Sequence, residues 1–181
     1  TIQIDGHTIA NWDGYPPSKI GTIPLADAIA YSCNTYFAAE GTRLGLAKLF
    51  DAAAALGFGP AGPTGDSGFA GFLPRAGTAT DTALAAIGLG PVQASPLSMA
   101  TIIDSIAAGH TILPHLATSH TAAATVGTPL KPDEAHQIAQ LLAGPIQYGT
   151  ATALKGAADG AKTGTSNDTS GHSNDQYAWI I

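Results

Sequence analysis

A chain of 181 residues with net charge −6 and only 11% charged residues fits one domain with enough length for a proper core. The low charge density argues against an acidic disordered chain, and the lack of any basic run argues against nucleic-acid binding. No apolar run approaches the ~20 residues that span a bilayer, the opening Thr1-Ile2-Gln3-Ile4-Asp5 has no signal-peptide pattern, and a single cysteine, Cys33, precludes an internal disulfide.

In chain order, a short strand is expected at Ile2–Ile4, followed by irregular chain to Gly21. From Thr22 the pattern turns helical. Thr22 can cap, Pro24 suits a first turn, and Leu25, Ala28 and Ile29 share a face. That helix runs into Ser32-Cys33-Asn34, and a second begins near Asn34 or Thr35 and ends before Gly45. A third carries Leu46, Leu49, Phe50, Ala53 and Leu56 at helical spacing and stops at Gly57-Phe58-Gly59. Residues 59–81 read as a Gly/Pro-rich loop packed down by Phe69 and Phe72; after residues 82–88, an apolar run, Gly88-Leu89-Gly90-Pro91 is a turn. Ser95-Pro96 opens a helix with Met99, Ile102, Ile103 and Ile106 inward and Gly109 as its stop. Residues 111–128 look extended. A last helix starts at Pro132 with Asp133 and Glu134 in its first turn, buries Ile138, Leu141 and Leu142, and is interrupted at Gly144-Pro145. No repeat and no internal domain boundary is visible.

The C-terminal stretch is the most informative. Lys162-Thr163-Gly164-Thr165-Ser166 follows a small-residue approach, and a polar loop from Asn167 to Gln176 leads to the β-prone Tyr177-Ala178-Trp179-Ile180-Ile181. This reads as strand, hairpin loop, strand. One ammonium and two threonine hydroxyls suit a carboxylate, and a glycine within the strand lets a ligand backbone come close. An edge strand with an ordinary surface lysine fits the same residues. Upstream, Ser32-x-Asn34 sits where two helices meet: a serine there can relay a proton and an asparagine amide can grip a peptide bond, but helix capping also uses both residue types. Cys33 is expected to be buried as a small hydrophobe. The histidines His7, His110, His115, His120, His136 and His172 form no metal-ligand spacing, so no metal or cofactor is expected. Gly88-x-Gly90 lacks the rest of a dinucleotide fingerprint.

Taken together, Ser-x-Asn and Lys-Thr-Gly resemble the serine acyl-transfer set of β-lactamases and penicillin-binding proteins, and the chain is most similar to the transpeptidase domain of class B penicillin-binding proteins. Ser32-Cys33-Asn34-Thr35-Tyr36-Phe37 resembles the second family motif. Leu56-Gly57-Phe58-Gly59, Thr64-Gly65 and Leu73-Pro74, then Ile87-Gly88-Leu89-Gly90 through Ser95-Pro96-Leu97-Ser98-Met99-Ala100, resemble the segments that follow, and Lys162-Thr163-Gly164-Thr165 with Tyr177-Ala178-Trp179 resembles the third motif and its partner strand. The landmarks span roughly residues 22–181. The chain departs from the family pattern in four places. No serine has a lysine three residues on, so the family's first motif, Ser-x-x-Lys, is absent; Thr128-Pro129-Leu130-Lys131 has the spacing but lies in the wrong place. Leu89 stands for a usual glutamine and Gly109-His110 for a usual Gly-Gly, and the chain stops at Ile181 inside an apolar strand.

The resemblance implies an α+β fold, mostly helical with part of the antiparallel sheet, and residues 1–181 as a transpeptidase domain truncated at both ends. A two-stranded sheet is marginal alone, so this piece is expected to be less stable than the whole domain or to need a partner chain. The implied activity is D,D-transpeptidation of peptidoglycan stem peptides, with acylation by β-lactam antibiotics and with other cell-wall synthesis proteins as partners, outside the cytoplasmic membrane and anchored through an N-terminal segment. The implied roles are proton relay for Ser32, an amide grip for Asn34 and positive charge for Lys162; Thr163, Gly164 and Thr165 form the substrate strand. Without its nucleophile the 181-residue chain is expected to be inactive. A β-lactam sensor or β-lactamase of the same fold, and a non-catalytic binding module, are the alternatives.

Overall fold

A computed structural model of the chain describes residues 1–59, 71–113, 128–167 and 176–181. The expectations for Phe69, Thr64-Gly65, His115, His120, His172, most of the extended stretch after residue 113 and the hairpin loop after Asn167 lie outside the described residues. In chain order the elements are β1 (Ile2–Ile4), β2 (His7–Ile9), α1 (Leu25–Ala30), α2 (Asn34–Leu44), α3 (Leu46–Ala55), α4 (Ala79–Ala85), α5 (Pro96–Ala108), α6 (Pro132–Gln147), β3 (Thr163–Asn167) and β4 (Gln176–Ile180), with single 3-10 turns at Pro17–Lys19 and Thr152–Leu154. The fold is α+β and mostly helical, and its strands form two separate antiparallel pairs among the described residues. None of the described helices is long and apolar enough to cross a membrane. Two compact units emerge, each assembled from two stretches of chain: residues 1–10 with 34–138, and residues 11–33 with 139–181. Because both units are discontinuous, no linker composition marks them.

The first unit opens on a hairpin where the sequence suggested one strand and then loop. Ile2 pairs with Ile9 and Ile4 with His7. The turn between them is Asp5-Gly6, with φ of 48° and 78°, the pair of left-handed residues that a two-residue type I′ turn needs. Ile9 is buried against Ala38 and Ala83, with Ile2 and Ile4 packed alongside. α2 falls between the expected start at Asn34 and stop at Gly45, and α3 where its apolar spacing places it, the two parted by Gly45 at φ 87°. Phe50 and Ala54 of α3 join Phe58 and Leu73 in the larger core cluster. The apolar run at 82–88 belongs partly to α4, a helix not expected there; Thr78 and Asp81 form its capping box, with bonds of 3.1 and 2.8 Å.

α5 begins and ends as its sequence indicates, with Ser95 as cap, Pro96 at the first position and left-handed Gly109 as stop. Its innermost face differs from the expected one. Ser98, Thr101, Ser105 and Ile106 are buried, while Met99 and Ile102 pack from the side and are only partly covered. Small hydroxyl residues can face inward because the helix satisfies them: Thr101 donates to the Leu97 carbonyl at 2.9 Å and Ser105 to that of Thr101 at 2.8 Å. Gly41 of α2 is buried where an added Cβ would collide with the Cβ of Ala86. We expect Gly41→Ala to lose about 1–3 kcal/mol by overpacking, more than the ~1 kcal/mol that helix propensity returns. Urea unfolding of the chain checks this, and a stabilised variant would refute the close packing of Gly41 on Ala86.

In the second unit α1 starts from Pro24 and has no side-chain cap, so Thr22 does not serve as one. Pro24 is extended, and its carbonyl already accepts the first helical bond, from Ala28 at 3.0 Å. α6 also departs from expectation, running through Gly144-Pro145 to Gln147. Pro145 lies in the last turn, where the missing N–H costs a single bond. The ring is fully buried, and the Pro145 carbonyl accepts from both Gly149 and Ala151, at 3.2 and 2.9 Å. Ile146 packs with Ala151, Ala161 and Leu154 as this unit's small core.

Candidate active site

The end of α1 determines where Ser32 sits. Cys33 N–H donates to the Ala28 carbonyl at 2.9 Å and Ser32 N–H to that of Ile29 at 3.2 Å. With Tyr31 as C-cap, these are the two bonds of a Schellman ending, and Ser32 takes the left-handed position that glycine usually fills, at φ 55°. Two further carbonyls orphaned by the helix end find outside donors: that of Ala30 accepts from Thr150 N–H at 3.0 Å, and that of Tyr31 from the Trp12 indole at 3.1 Å. Cys33 is buried, as expected, with Sγ 3.6 Å from the Asn11 side-chain oxygen.

β3 and β4 form the hairpin expected from the sequence, with Thr163 opposite Ile180, Gly164 opposite Trp179 and Thr165 opposite Ala178. Lys162 and Ile181 extend the ladder by one pair, exchanging bonds of 2.8 and 3.1 Å. The Lys162 ammonium donates to Ser32 Oγ at 2.8 Å and to the Thr163 carbonyl at 2.6 Å. Two residues 130 positions apart are thus brought into direct contact. Burial lowers the Lys162 pKa from its ordinary 10.5 to about 8, because a desolvated ammonium is disfavoured against the neutral amine. No carboxylate pairs with it among the described residues. A lysine near neutrality bonded to a serine oxygen can hold that hydroxyl in one rotamer, polarise it, and let it pass a proton.

Thr163 Oγ1 lies 2.7 Å from Thr150 Oγ1. Gly164 and Thr165 are exposed on β3. A Cβ at Gly164 would meet only the Trp179 Cβ, at 3.7 Å, and its φ is not left-handed, so neither packing nor backbone conformation inside the chain demands glycine there. Asn34 belongs to the other unit, where it begins α2 and donates through Nδ2 to the Ala10 carbonyl at 3.1 Å. The sequence does not single out Thr150 or Trp12: Thr150 acts through its backbone N–H and a lone hydroxyl, and Trp12 through its indole N–H on a backbone carbonyl, contacts that carry no sequence pattern. The described residues contain no group of side chains that could hold a metal ion.

The family model for the penicillin binding protein transpeptidase domain matches residues 1–181. No curated protein sequence matches the chain. Among solved structures, the ceftriaxone acyl-enzyme complex of penicillin-binding protein A from Mycobacterium tuberculosis is similar with a TM-score of 0.80 and 26% identity, over 99% of this chain and 44% of that one. The imipenem acyl-enzyme complex of the same protein gives 0.75 and 28% over the same shares, 99% and 44%. Penicillin-binding protein 2 from Helicobacter pylori, in complex with MreC, shares the fold at a TM-score of 0.78 and 23% identity, over 99% of this chain and 36% of that one. The chain therefore spans less than half the length of these similar structures.

Proposed function

Since the chain belongs to the penicillin-binding protein transpeptidase domain family, we propose that it forms part of a serine D,D-transpeptidase that cross-links peptidoglycan stem peptides and is acylated by β-lactams. The observation that carries this reading is the 2.8 Å bond between Lys162 and Ser32, which joins two of the three motifs on which the family's chemistry depends. In the proposed reaction a serine oxygen outside these 181 residues bonds to the carbonyl carbon of a D-alanyl-D-alanine peptide bond. The C–N bond breaks, and the proton lost by the nucleophilic hydroxyl reaches the leaving amine through Ser32. An amine of a neighbouring stem peptide then attacks the acyl ester, gives up its proton, and releases the serine. In a β-lactam the broken C–N bond is part of a ring, so the amine stays attached and the acyl-enzyme persists.

Each residue has a part in this scheme. Lys162 supplies positive charge and fixes the Ser32 hydroxyl. Thr163 and Thr165 hold the terminal carboxylate, and an exposed Gly164 lets the peptide backbone lie against β3. The Thr165 N–H is one of two oxyanion donors, the other being that of the nucleophilic serine. Such a donor is worth about 2.7–4 kcal/mol in other enzymes. An amide nitrogen has two hydrogens; Asn34 spends one on Ala10 and would offer the other to a substrate carbonyl. The substrate puts the site outside the cytoplasmic membrane, with other cell-wall synthesis proteins as the class of macromolecular partner. These residues are read as part of a longer domain, since no serine in the chain is followed by lysine at the third position.

Intact mass after incubation with penicillin, on this chain and on an N-terminally longer form carrying Ser-x-x-Lys, tests the reading. An adduct on the longer form alone is expected. No adduct on either would refute it in favour of a non-catalytic module. An adduct on the 181-residue chain would mean that the nucleophile lies within it, with Ser32 the first residue to map. Rapid loss of the adduct by hydrolysis would point to a β-lactamase.

A further inference from the structure

One short segment, Gly149-Thr150, bonds to a near neighbour of each member of the Ser32–Lys162 pair. Thr150 N–H donates to the Ala30 carbonyl at 3.0 Å, two residues before Ser32, while its hydroxyl lies 2.7 Å from that of Thr163, the residue after Lys162. From this juxtaposition we infer that Gly149-Thr150 is a positioning element of the site: its backbone anchors the end of α1, and its hydroxyl aims that of Thr163 at the carboxylate of a bound ligand. The inference rests on the functional reading above and names a residue whose role that reading leaves open.

Hydrogen-bond direction supports it. A hydroxyl has one hydrogen and two lone pairs. If Thr163 donates outward to a carboxylate, its bond with Thr150 must run the other way, with Thr150 donating and Thr163 accepting. The two bonds then point in one direction, each polarising the next. Without Thr150 the Thr163 hydroxyl is free to turn to another acceptor, and a ligand must reorient it on arrival. The neighbouring glycine is set by close approach. A Cβ at Gly149 would fall on the Ala30 carbonyl oxygen and lie 2.9 Å from Pro145 Cα, both backbone atoms that cannot yield, and its φ is not left-handed. The absent side chain is what allows the Thr150 N–H to reach α1.

The test uses the full-length protein and two probes, a penicillin with its free carboxylate and the methyl ester of the same penicillin. Thr150→Val should raise the concentration for half-maximal acylation by the acid about tenfold, as expected when a hydrogen bond to a charged group is weakened, with the limiting rate changed far less. Reaction with the ester should be unchanged, and Thr150→Ser should restore the acid. Thr150→Ala serves if the valine variant folds poorly, since the acid-to-ester ratio within one protein cancels loss of folded material. An unchanged ratio in Thr150→Val, equal losses for both probes, or a serine variant that behaves like valine would overturn the inference while leaving the functional reading intact. A wild-type protein acylated by neither probe overturns both.

Discussion

Lys162→Met should cut penicillin acylation of the full-length protein by about 10²–10⁴-fold, the range for a group that handles a proton in the transition state, and should at the same time stabilise the fold near neutral pH. The two effects share one cause. Burial lowers the lysine from 10.5 to about 8, and at 1.36 kcal/mol per pKa unit that difference corresponds to ~3 kcal/mol of destabilisation borne by the native state while the ammonium is charged. Methionine has similar length and no charge to desolvate. Against this, Ser32 Oγ and the Thr163 carbonyl lose their donor, at about 1 kcal/mol or more. The expected net gain is ~1–2 kcal/mol at pH 7 by urea unfolding.

The pH dependence gives a sharper check. Between about 8 and 10.5 the unfolded chain still holds the Lys162 proton and the native chain has lost it. The unfolded state then binds more protons, so this residue makes stability rise with pH across that window and contributes no slope below it. Subtracting the Lys162→Met curve cancels every other titration. A flat difference curve from pH 8 to 10 would show that Lys162 is not desolvated. In the same window the rate constant for acylation at low penicillin concentration should fall as the free protein loses the charge, with an apparent pKa near 8.

How legible the structure is from sequence depends on whether the signal is local. The β3–β4 hairpin was readable because Tyr177 to Ile181 is a β-prone run set off by a polar loop, and the ends of α5 because Ser95-Pro96 and Gly109 are the cap and stop residues themselves. The β1–β2 hairpin and α4 carried equally local marks, Asp5-Gly6 and Thr78-x-x-Asp81, and could have been found from them. The buried face of α5 could not: inward serines and threonines depend on backbone carbonyls that only a formed helix offers, with Ser105 also accepting from Ile112 N–H at 2.9 Å. The same holds for Pro145, tolerated because the turn beyond it supplies new donors. In the candidate site the residue types were visible, and the resemblance connected them. Their contact, across most of the chain, is a property of tertiary packing, and Thr150 has no motif at all.

Ser32→Gly and Ser32→Ala should impair function alike and differ in stability, with glycine the more stable by about 1 kcal/mol. Both variants lose the hydroxyl, so both deprive Lys162 of one of its two oxygen partners and should lower acylation of the full-length protein by about 10²–10⁴-fold. That common loss cancels in the comparison and leaves the backbone. At φ 55° an L-residue brings its Cβ against the neighbouring carbonyl, while glycine has none to clash; alanine retains the strain and gains nothing. Greater flexibility of unfolded glycine works the other way by several tenths of a kcal/mol, so the predicted order survives only if the strain is real. Urea unfolding of the two variants decides it, and an alanine variant equal to or more stable than glycine would show that Ser32 is unstrained. The Schellman ending of α1 could be completed more cheaply by glycine. A serine held there against backbone preference, with its oxygen on a buried lysine, is accounted for by what the hydroxyl does and not by what it adds to the fold.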